Sequence, residues 1–245
     1  MNRTETRPSF SFSAPIRTLP RNLRHFRPAV PGLGFGFASV HEGPPPAVHE
    51  AEMRLATGMP PARRAEFLVG RCAAHRALRD AALPAGAVLR DGRRPSPPAG
   101  LVVSISHSRG VAVAVAAPAA RFAALGVDLE LSPLPVRAAH LVLRPAESVL
   151  LDGERGGAER RLLAAFSAKE AAYKAFSALL HECGEQAGDG DGAASAALPG
   201  LRAVHLRRHG DGFTARTPAL PGTELDVTVS RLPEGVLSWA LPRRS

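Results

Sequence analysis

The chain has 245 residues, of which 45% are apolar and only 5% aromatic, so it can form one or two domains with cores made mainly of alanine, valine and leucine. Its net charge of +9 is unevenly distributed, because six arginines and one glutamate give residues 1–28 a charge of +5 and leave +4 for the rest. This distribution argues against a uniformly basic nucleic-acid surface, and no apolar run approaches the ~18 residues of a membrane span.

The N-terminal segment and the cysteines indicate the compartment. Residues 1–28 are predicted to be a disordered basic arm, because they contain charge without the apolar segment of a secretory signal. Cys72 and Cys183 are isolated and lack metal-ligand spacing, which is typical of free thiols in a reducing compartment. We therefore expect a cytoplasmic protein, and we expect it to be a monomer.

Residues 29–118 are predicted to form an N-terminal α+β half. Gly32, Gly34 and Gly36 precede a proline run instead of a helix, which favours an edge strand and a turn over a dinucleotide-binding loop. Apolar periodicity then predicts two helices followed by a series of strands. The helices cover 47–58 and 61–80, a strand lies near 88–90, a proline-rich loop covers 92–98, and further strands cover 101–106, 111–116 and 122–129.

Residues 119–245 are predicted to form a C-terminal α+β half of the same kind. Its helical patterns cover 136–142, 145–152 and 158–180, and its later strands cover 204–208, 213–216, 225–230 and 237–241. A low-complexity loop rich in glycine, alanine and aspartate separates them over 181–200. The repeated order of helix and strand meander predicts an α+β fold with two similar α/β halves.

The two lysines of the chain lie close together on a predicted helix, whereas the other 29 basic residues are arginine. Lysine is a compact point charge on a flexible stem, so arginine does not replace it where such a charge is needed. Glu170 and Lys174 share one helix face, and either an exposed ion pair or a functional site would produce this pattern. Lys169 lies about 100° round the helix from Glu170, so we expect it to support the site and to tolerate arginine better than Lys174 does.

Asp128 and Glu130 are two apart on a predicted strand and therefore project from one face. Two adjacent carboxylates repel each other unless a cation or a proton intervenes. With Glu170 from the helix they make three hard oxygen ligands, a set that suits Mg²⁺. The alternative is that both are the solvent-facing residues of an edge strand.

His107 lies in a predicted hairpin turn beside Ser106, where an imidazole, a hydroxyl and backbone N–H groups can be presented to a phosphate. A serine–histidine nucleophile pair does not fit, because adjacent residues on a strand point to opposite faces. A purely structural histidine is the alternative. Cations precede this turn in the chain, and each alone would normally be solvated surface: Arg63, Arg64 and Arg71 on the long helix, and Arg90, Arg93 and Arg94 after it.

Together these motifs resemble the 4′-phosphopantetheinyl transferases, and among them the branch typified by the enterobactin-synthase component. The matching segments are 63–71 with Ala73 and Ala74, 95–107 ending in Ser-Ile-Ser-His, Gly-Val-Asp-Leu-Glu at 126–130, and Phe-Ser-Ala-Lys-Glu-Ala-Ala-Tyr-Lys at 166–174. The resemblance covers roughly residues 47–216. Phe166 stands where many relatives carry tryptophan, and segments 1–28 and 181–200 have no clear counterpart.

The resemblance implies a pseudo-twofold arrangement of the halves with the active site between them. It implies Mg²⁺-dependent transfer of the 4′-phosphopantetheine arm of coenzyme A to a serine of an apo acyl or peptidyl carrier protein, with release of adenosine 3′,5′-bisphosphate. The pathway is left open among fatty-acid, polyketide, nonribosomal-peptide and siderophore synthesis, and neither nucleic acid nor membrane is an expected partner. The alternative is a non-catalytic carrier- or nucleotide-binding module on the same fold.

The resemblance also implies roles for individual residues. The metal would be held by Asp128, Glu130 and Glu170, with Glu170 also the candidate base, directly or through a water, and Lys174 on the same phosphates. The remaining expected contacts are to coenzyme A: His107, Arg71 and Arg63 on the 3′-phosphate, Arg90 and Arg94 along the nucleotide cleft, and Ser106 as a further polar contact.

Overall fold

A computed structural model describes Leu23, Phe26 and residues 30–42, 48–153, 157–186 and 198–243. Most of the predicted arm 1–28 and residues 187–197 of the predicted loop lie outside these residues. The described elements, in chain order, are β1 (Gly34–Ser39), α1 (Glu50–Ala56), α2 (Pro61–Asp80), β2 (Leu89–Asp91), β3 (Arg94–Ser96), β4 (Leu101–Ser108), β5 (Val111–Pro118), β6 (Gly126–Glu130), α3 (Ala139–Val142), α4 (Ala158–Gln186), β7 (His205–His209), β8 (Gly212–Arg216), β9 (Glu224–Leu232) and β10 (Gly235–Pro242).

The N-terminal half is an antiparallel sheet in the order β1-β5-β4 with α2 packed on one face. Its central strand β5 alternates valine and alanine, and the two residue types face different layers. Val111, Val113 and Val115 pack against the phenylalanines of β1, whereas the alanines between them lie under α2. Small side chains on one face therefore let a helix come close, while larger ones fill the opposite layer.

The C-terminal half is an antiparallel sheet in the order β6-β10-β9-β8-β7 with α4 across one face. In each half the first strand pairs with the last: β1 with β5, and β6 with β10. In each half the long helix also lies on that first strand. The α+β fold predicted from the sequence is confirmed, and the two halves share this plan.

Glycines make the helix–strand contacts of both halves possible. A Cβ atom added to Gly36 would lie 2.0 Å from the carbonyl oxygen of Ala73 in α2, and one added to Gly126 would lie 1.8 Å from that of Ala171 in α4. Neither distance is compatible with a side chain, so the backbones touch directly. The predicted glycine-rich edge strand is thus correct, and its glycines serve packing.

Several predicted boundaries differ from the structure. The proline-rich loop 92–98 contains β3, which pairs with β2 around a turn at Gly92, where φ is +57°; Pro95 is tolerated because this hairpin is a separate two-stranded edge. The predicted helix 145–152 is a 3₁₀ helix, Pro145–Leu151. Helix α4 continues to Gln186, past the predicted end at residue 180.

Two residues of the predicted arm pack on the core. Leu23 is fully buried, and the ring of Phe26 meets Phe35 and Trp239 edge-on with centroids 5.7 and 5.6 Å apart. The layer they join also contains the valines of β5, so it includes residues from both halves. Within the described ranges, no helix combines the length and apolar character needed to cross a membrane.

We expect Gly126→Ala to lower the free energy of unfolding by about 3 kcal/mol or more, because the new methyl group meets a helix carbonyl that cannot move alone. Urea unfolding at equilibrium measures this. The control is Gly184→Ala on α4, where no described atom lies within 4 Å of the added Cβ. The control should be neutral or stabilising by up to about 1 kcal/mol. Equal stability of both variants would contradict the close contact.

Candidate active site

The two halves meet where β4 lies along β6, and serine side chains make the contact although the strands belong to different sheets. The Ser104 hydroxyl accepts a hydrogen bond from the Val127 N–H at 3.1 Å, and the Ser108 hydroxyl accepts one from the Leu131 N–H at 3.0 Å. Between them, Ser106 donates to Oδ1 of Asp128 at 2.9 Å. All three serines are buried, and their i, i+2, i+4 spacing puts them on one face of β4. We call this contact the serine seam.

Asp128 is the buried carboxylate at the centre of the serine seam. Its Oδ1 accepts from Ser106 and also from the Lys174 ammonium, at 2.9 Å, and Lys174 donates in addition to the carbonyl oxygen of Val127 at 2.8 Å. Its Oδ2 is buried without a hydrogen-bond partner among the described residues. Lys174 is therefore part of the site, and the interpretation of Glu170 and Lys174 as a simple exposed pair is not needed.

Glu130 lies in an environment that disfavours its negative charge. Burial raises its pKa to about 8, the Asp128 carboxylate adds to the rise, Lys174 opposes it, and Glu170 raises it further. The Ser108 hydroxyl lies 3.5 Å from its Oε2, a weak contact. The structure thus brings Asp128, Glu130 and Glu170 into one electrostatic group, with more negative charge than Lys174 alone can offset.

The chemistry of these carboxylates suits a hard cation, although their side chains do not form a ready coordination cluster. Across the described ranges, no group of three His, Cys, Asp or Glu side chains is arranged to hold a metal ion. The negative charges of Asp128 and Glu170, which both raise the pKa of Glu130, would nevertheless favour a cation bound beside these carboxylates. Carboxylate oxygens are also the ligands Mg²⁺ prefers. Binding of Mg²⁺ by these three residues remains a prediction, and the oxygen ligands that they offer are of the right kind for it.

His107, on β4, packs against Gly70 of α2 at the edge of the same site. A Cβ on Gly70 would be 2.7 Å from its Nε2, so the ring occupies the space that this glycine leaves. The residue is exposed to solvent, while its Nε2 lies against the helix at Gly70. Burial, followed by the charges of Lys174, Arg63 and Arg71, lowers its pKa to about 4. The imidazole is therefore neutral at pH 7, among three cations that would attract an anion.

Arg71 combines a structural contact with this positive environment. Its Nη2 donates to the carbonyl oxygen of Leu89 at 2.8 Å, its guanidinium lies 4.3 Å from the centroid of Phe67, and its buried Nε has no partner among the described residues. Burial lowers its pKa to about 10; Glu52 opposes this, and Arg63 and Arg90 reinforce it. Arg63, Arg71, Arg90 and His107 thus interact electrostatically, and their contacts with coenzyme A stay a prediction.

Two predicted ligand contacts have other partners in the structure. Ser106, expected to touch the nucleotide, donates instead to Asp128 across the serine seam. Arg94 pairs with Asp91 at 2.6 Å, and Asp91 also lies 3.4 Å from His181 of α4. Arg94 therefore helps hold the β2–β3 hairpin, and that hairpin connects the N-terminal half to α4.

A buried carboxylate in α1 fixes the other end of the same hairpin. Glu52 is fully buried and accepts from the Val88 N–H at 2.6 Å and from the His49 N–H at 3.0 Å. His75 lies 3.0 Å from the same carboxylate. Because Val88 and Leu89 are both held, the start of β2 is fixed and with it the position of Arg90. Glu52 is not predictable from the sequence, since nothing local distinguishes it from an exposed helix residue.

Lys169 has a different environment from Lys174. It is fully buried, donates to Oε2 of Glu147 at 2.6 Å and to the carbonyl oxygen of Val204 at 2.7 Å, and burial lowers its pKa. Glu147 also accepts from the Leu206 N–H at 2.7 Å. This pair joins α4 to β7 and holds the helix that presents Glu170 and Lys174. The expectation that Lys169 would tolerate arginine is not supported, because a larger guanidinium has no room here.

The fold has two similar halves, and its candidate site contains a group of carboxylates and a group of cations. Comparison with known proteins identifies the family to which such a chain belongs. A model of the 4′-phosphopantetheinyl transferase N-terminal domain matches residues 51–117, and one of the 4′-phosphopantetheinyl transferase superfamily matches residues 124–215. The chain belongs to the 4′-phosphopantetheinyl transferase superfamily.

Three curated relatives agree with this assignment. The chain is 34% identical to Enterobactin synthase component D of Salmonella typhi over 60% of this chain and 59% of that protein. It is 34% identical to the Salmonella typhimurium protein of the same name, over 68% and 65% of the two lengths. It is 42% identical to the 4′-phosphopantetheinyl transferase Svp of Streptomyces mobaraensis over 47% and 49%. The matches thus span less than two thirds of each relative.

We expect Lys169→Met to lower the free energy of unfolding by about 3–5 kcal/mol, because it leaves Glu147 charged, buried and unpaired. The matched control is Arg54→Met, which removes the exposed i,i+4 partner of Glu50 and should cost no more than about 0.5 kcal/mol. Chemical denaturation of both variants measures the difference. A loss in Lys169→Met as small as that of the control would show that the pair does not stabilise the fold.

Proposed function

We propose that this chain transfers the 4′-phosphopantetheine arm of coenzyme A to a serine hydroxyl of an apo acyl or peptidyl carrier protein. The observation that carries the proposal is the position of Lys174. Its ammonium donates to Oδ1 of Asp128, and its charge also lowers the pKa of His107, as do those of Arg63 and Arg71. One site thus contains groups for a metal, for a pyrophosphate and for a terminal phosphate. The names of the relatives support the same activity.

In the proposed reaction the carrier serine oxygen attacks the phosphorus attached to the pantetheine arm. A new P–O bond forms to serine, the pyrophosphate P–O bond breaks, and adenosine 3′,5′-bisphosphate leaves with the electron pair. Glu170 accepts the serine proton, directly or through a water. Mg²⁺ held by Asp128, Glu130 and Glu170 would neutralise the pyrophosphate charge when bound. Lys174 adds a positive charge beside the same phosphates.

The remaining residues would bind the leaving nucleotide. Arg63 and Arg71 would favour the 3′-phosphate, since a phosphate dianion offsets the repulsion between the two guanidinium groups, and the imidazole of His107 would donate a hydrogen bond to it. Arg90 would line the nucleotide cleft from the fixed start of β2. For Arg94 we keep a role at the cleft only through the hairpin that it stabilises.

We place this activity in the cytoplasm, with the protein acting as a monomer on coenzyme A and on carrier proteins. The free thiols of Cys72 and Cys183 support a reducing compartment. Two of the relatives are named Enterobactin synthase component D. Carrier proteins of siderophore synthesis therefore belong in the first set to be tested, together with polyketide and fatty-acid carriers.

The proposal predicts that the chain, incubated with coenzyme A, Mg²⁺ and a panel of apo carrier proteins, adds one phosphopantetheine arm to at least one of them, as detected by mass spectrometry of the intact carrier. Glu170→Gln should abolish transfer, because it removes both the base and a metal ligand while keeping the side-chain size. The melting temperature should stay unchanged.

The control is Glu159→Gln, an exposed glutamate in the first turn of the same helix, which should transfer at the wild-type rate. Binding of coenzyme A and carriers without transfer by the wild-type chain, with or without Mg²⁺, would favour a non-catalytic module. Normal transfer by Glu170→Gln would remove the assignment of Glu170.

A second prediction concerns the 3′-phosphate. His107→Ala should weaken binding of coenzyme A by about tenfold and leave binding of 3′-dephospho-coenzyme A nearly unchanged. The second ligand lacks the 3′-phosphate, so it has no contact with the imidazole to lose. Isothermal calorimetry with both ligands measures this, and His209→Ala, an exposed histidine on β7, is the control. Equal losses with both ligands would show a purely structural histidine.

The pH dependence gives an independent check. Burial and then the neighbouring cations lower the pKa of His107 in the free protein. A phosphate dianion bound beside the ring would raise this pKa, so binding would take up protons. The preference for coenzyme A over its 3′-dephospho form should therefore increase as the pH falls from 8 toward 6. In His107→Ala this increase should become smaller.

A further inference from the structure

The hydrogen bonds of Asp128 are one-sided. Ser106 and Lys174 both donate to Oδ1, each at 2.9 Å, whereas Oδ2 is buried and has no donor within the described chain. The residue is only 3% exposed, so water does not replace the missing donor from the surface. A buried carboxylate oxygen without a donor is costly, and such an atom in a native site calls for a partner.

A second unpartnered atom lies directly opposite on the neighbouring strand. Ser238 of β10 is paired with Asp128 of β6 in the antiparallel register. Ser238 is completely buried, and its hydroxyl has no hydrogen-bond partner among the residues described. Directly opposite residues of an antiparallel pair project to the same face, with Cβ atoms about 4.5–5.5 Å apart. A hydroxyl donor and a carboxylate acceptor thus share one dry layer, each without a partner.

The residues packed around Asp128 and Ser238 offer few other hydrogen-bond partners to these two side chains. The next registered pair on the same face, Gly126 and Ala240, lies under α4, where the helix backbone approaches Gly126 directly. Ser167 of α4 lies above β6 and its hydroxyl contacts the backbone carbonyl of Asp128 at 3.4 Å, not its side chain. Ser238 is thus a buried donor that the register places beside the unpartnered Oδ2 of Asp128.

We infer that Ser238 is a positioning residue for Asp128, whose Oδ2 accepts a hydrogen bond from the Ser238 hydroxyl after rotation of the serine about χ1. A serine has three staggered χ1 positions, so this rotation needs no backbone movement. Asp128 is then held from both sides, by Ser106 across the serine seam and by Ser238 within its own sheet. Hydrogen-bonded neighbours of this kind orient a carboxylate for a metal. The inference rests on the proposed function, in which Asp128 is a magnesium ligand.

The test is Ser238→Ala, with Mn²⁺ alone as the probe, its binding followed by the electron paramagnetic resonance signal of the free ion. We expect about tenfold weaker Mn²⁺ binding than in the wild-type chain, together with a melting temperature that does not rise. Were the hydroxyl a true orphan, its removal would leave Mn²⁺ binding unchanged and raise the melting temperature, because a buried unsatisfied group would be gone. That result would overturn the inference.

The same sheet provides a matched control. Thr214 of β8 is paired with Asp226 of β9, and again both a hydroxyl and a carboxylate oxygen are buried and lack a hydrogen-bond partner in the described ranges. Thr214→Val removes a comparable hydroxyl away from the proposed metal site, so Mn²⁺ binding should stay at the wild-type value. An equal loss of binding in Thr214→Val and Ser238→Ala would mean a general effect on the sheet and would overturn the inference.

A metal-free measurement separates the pair from the metal. Ser238→Ala, Asp128→Asn and the double variant are unfolded in urea with chelator present, and the two single effects should fail to add if the side chains are bonded. Additive effects would overturn the inference even if the proposed function holds. Failure of the proposed function is distinct, because it shows in the wild-type chain as absence of transfer to every carrier tested.

Discussion

The serine seam between β4 and β6 is the contact on which the arrangement of the site depends. In the part of the chain that the structure describes, β4 and β6 belong to different sheets and share no backbone ladder. Hydroxyl groups at every second residue of β4 set the two halves in register instead. The same contact places a hydroxyl on Asp128 and keeps His107, the residue after Ser106, on the face toward α2. A slip of one residue along β4 would turn every serine away and bring His107 to the seam. Register and function are therefore coupled here.

The two lysines of α4 lie in two different environments on the same helix. Lys169 is enclosed with Glu147, where a charged pair must be nearly complete to be tolerated. Lys174, about one and a half turns later, keeps part of its side chain in contact with solvent and holds Asp128. A cation bound to Asp128 would therefore have to share this carboxylate with the Lys174 ammonium. Each lysine ammonium donates both to a carboxylate and to a backbone carbonyl oxygen, which a compact ammonium on a flexible stem does more readily than a planar guanidinium.

Local signals in the sequence predicted much of this structure. The alternation of valine and alanine in β5 and the spacing of Asp128 and Glu130 are periodic patterns, and they gave the buried strand and the shared face correctly. The predictions were incomplete where a partner is far along the chain. Glu147 meets Lys169 from 22 residues away, Glu52 meets the Val88 N–H from 36, and Ser238 faces Asp128 only through sheet register. The β3 strand was missed because its proline argued against pairing, although an edge hairpin accepts it.

The pairing of first strand with last in each half has a consequence for how the chain acquires its structure during synthesis. Strand β1 finds its neighbour β5 only after residue 118 has emerged from the ribosome, and β6 must wait for β10, which ends at Pro242. Such long closures raise the contact order and slow folding. Until then the first strand of each half lacks its partner strand, and its glycines and apolar residues stay exposed. Vectorial translation would let the N-terminal half close first, with β4 ready before β6 is complete.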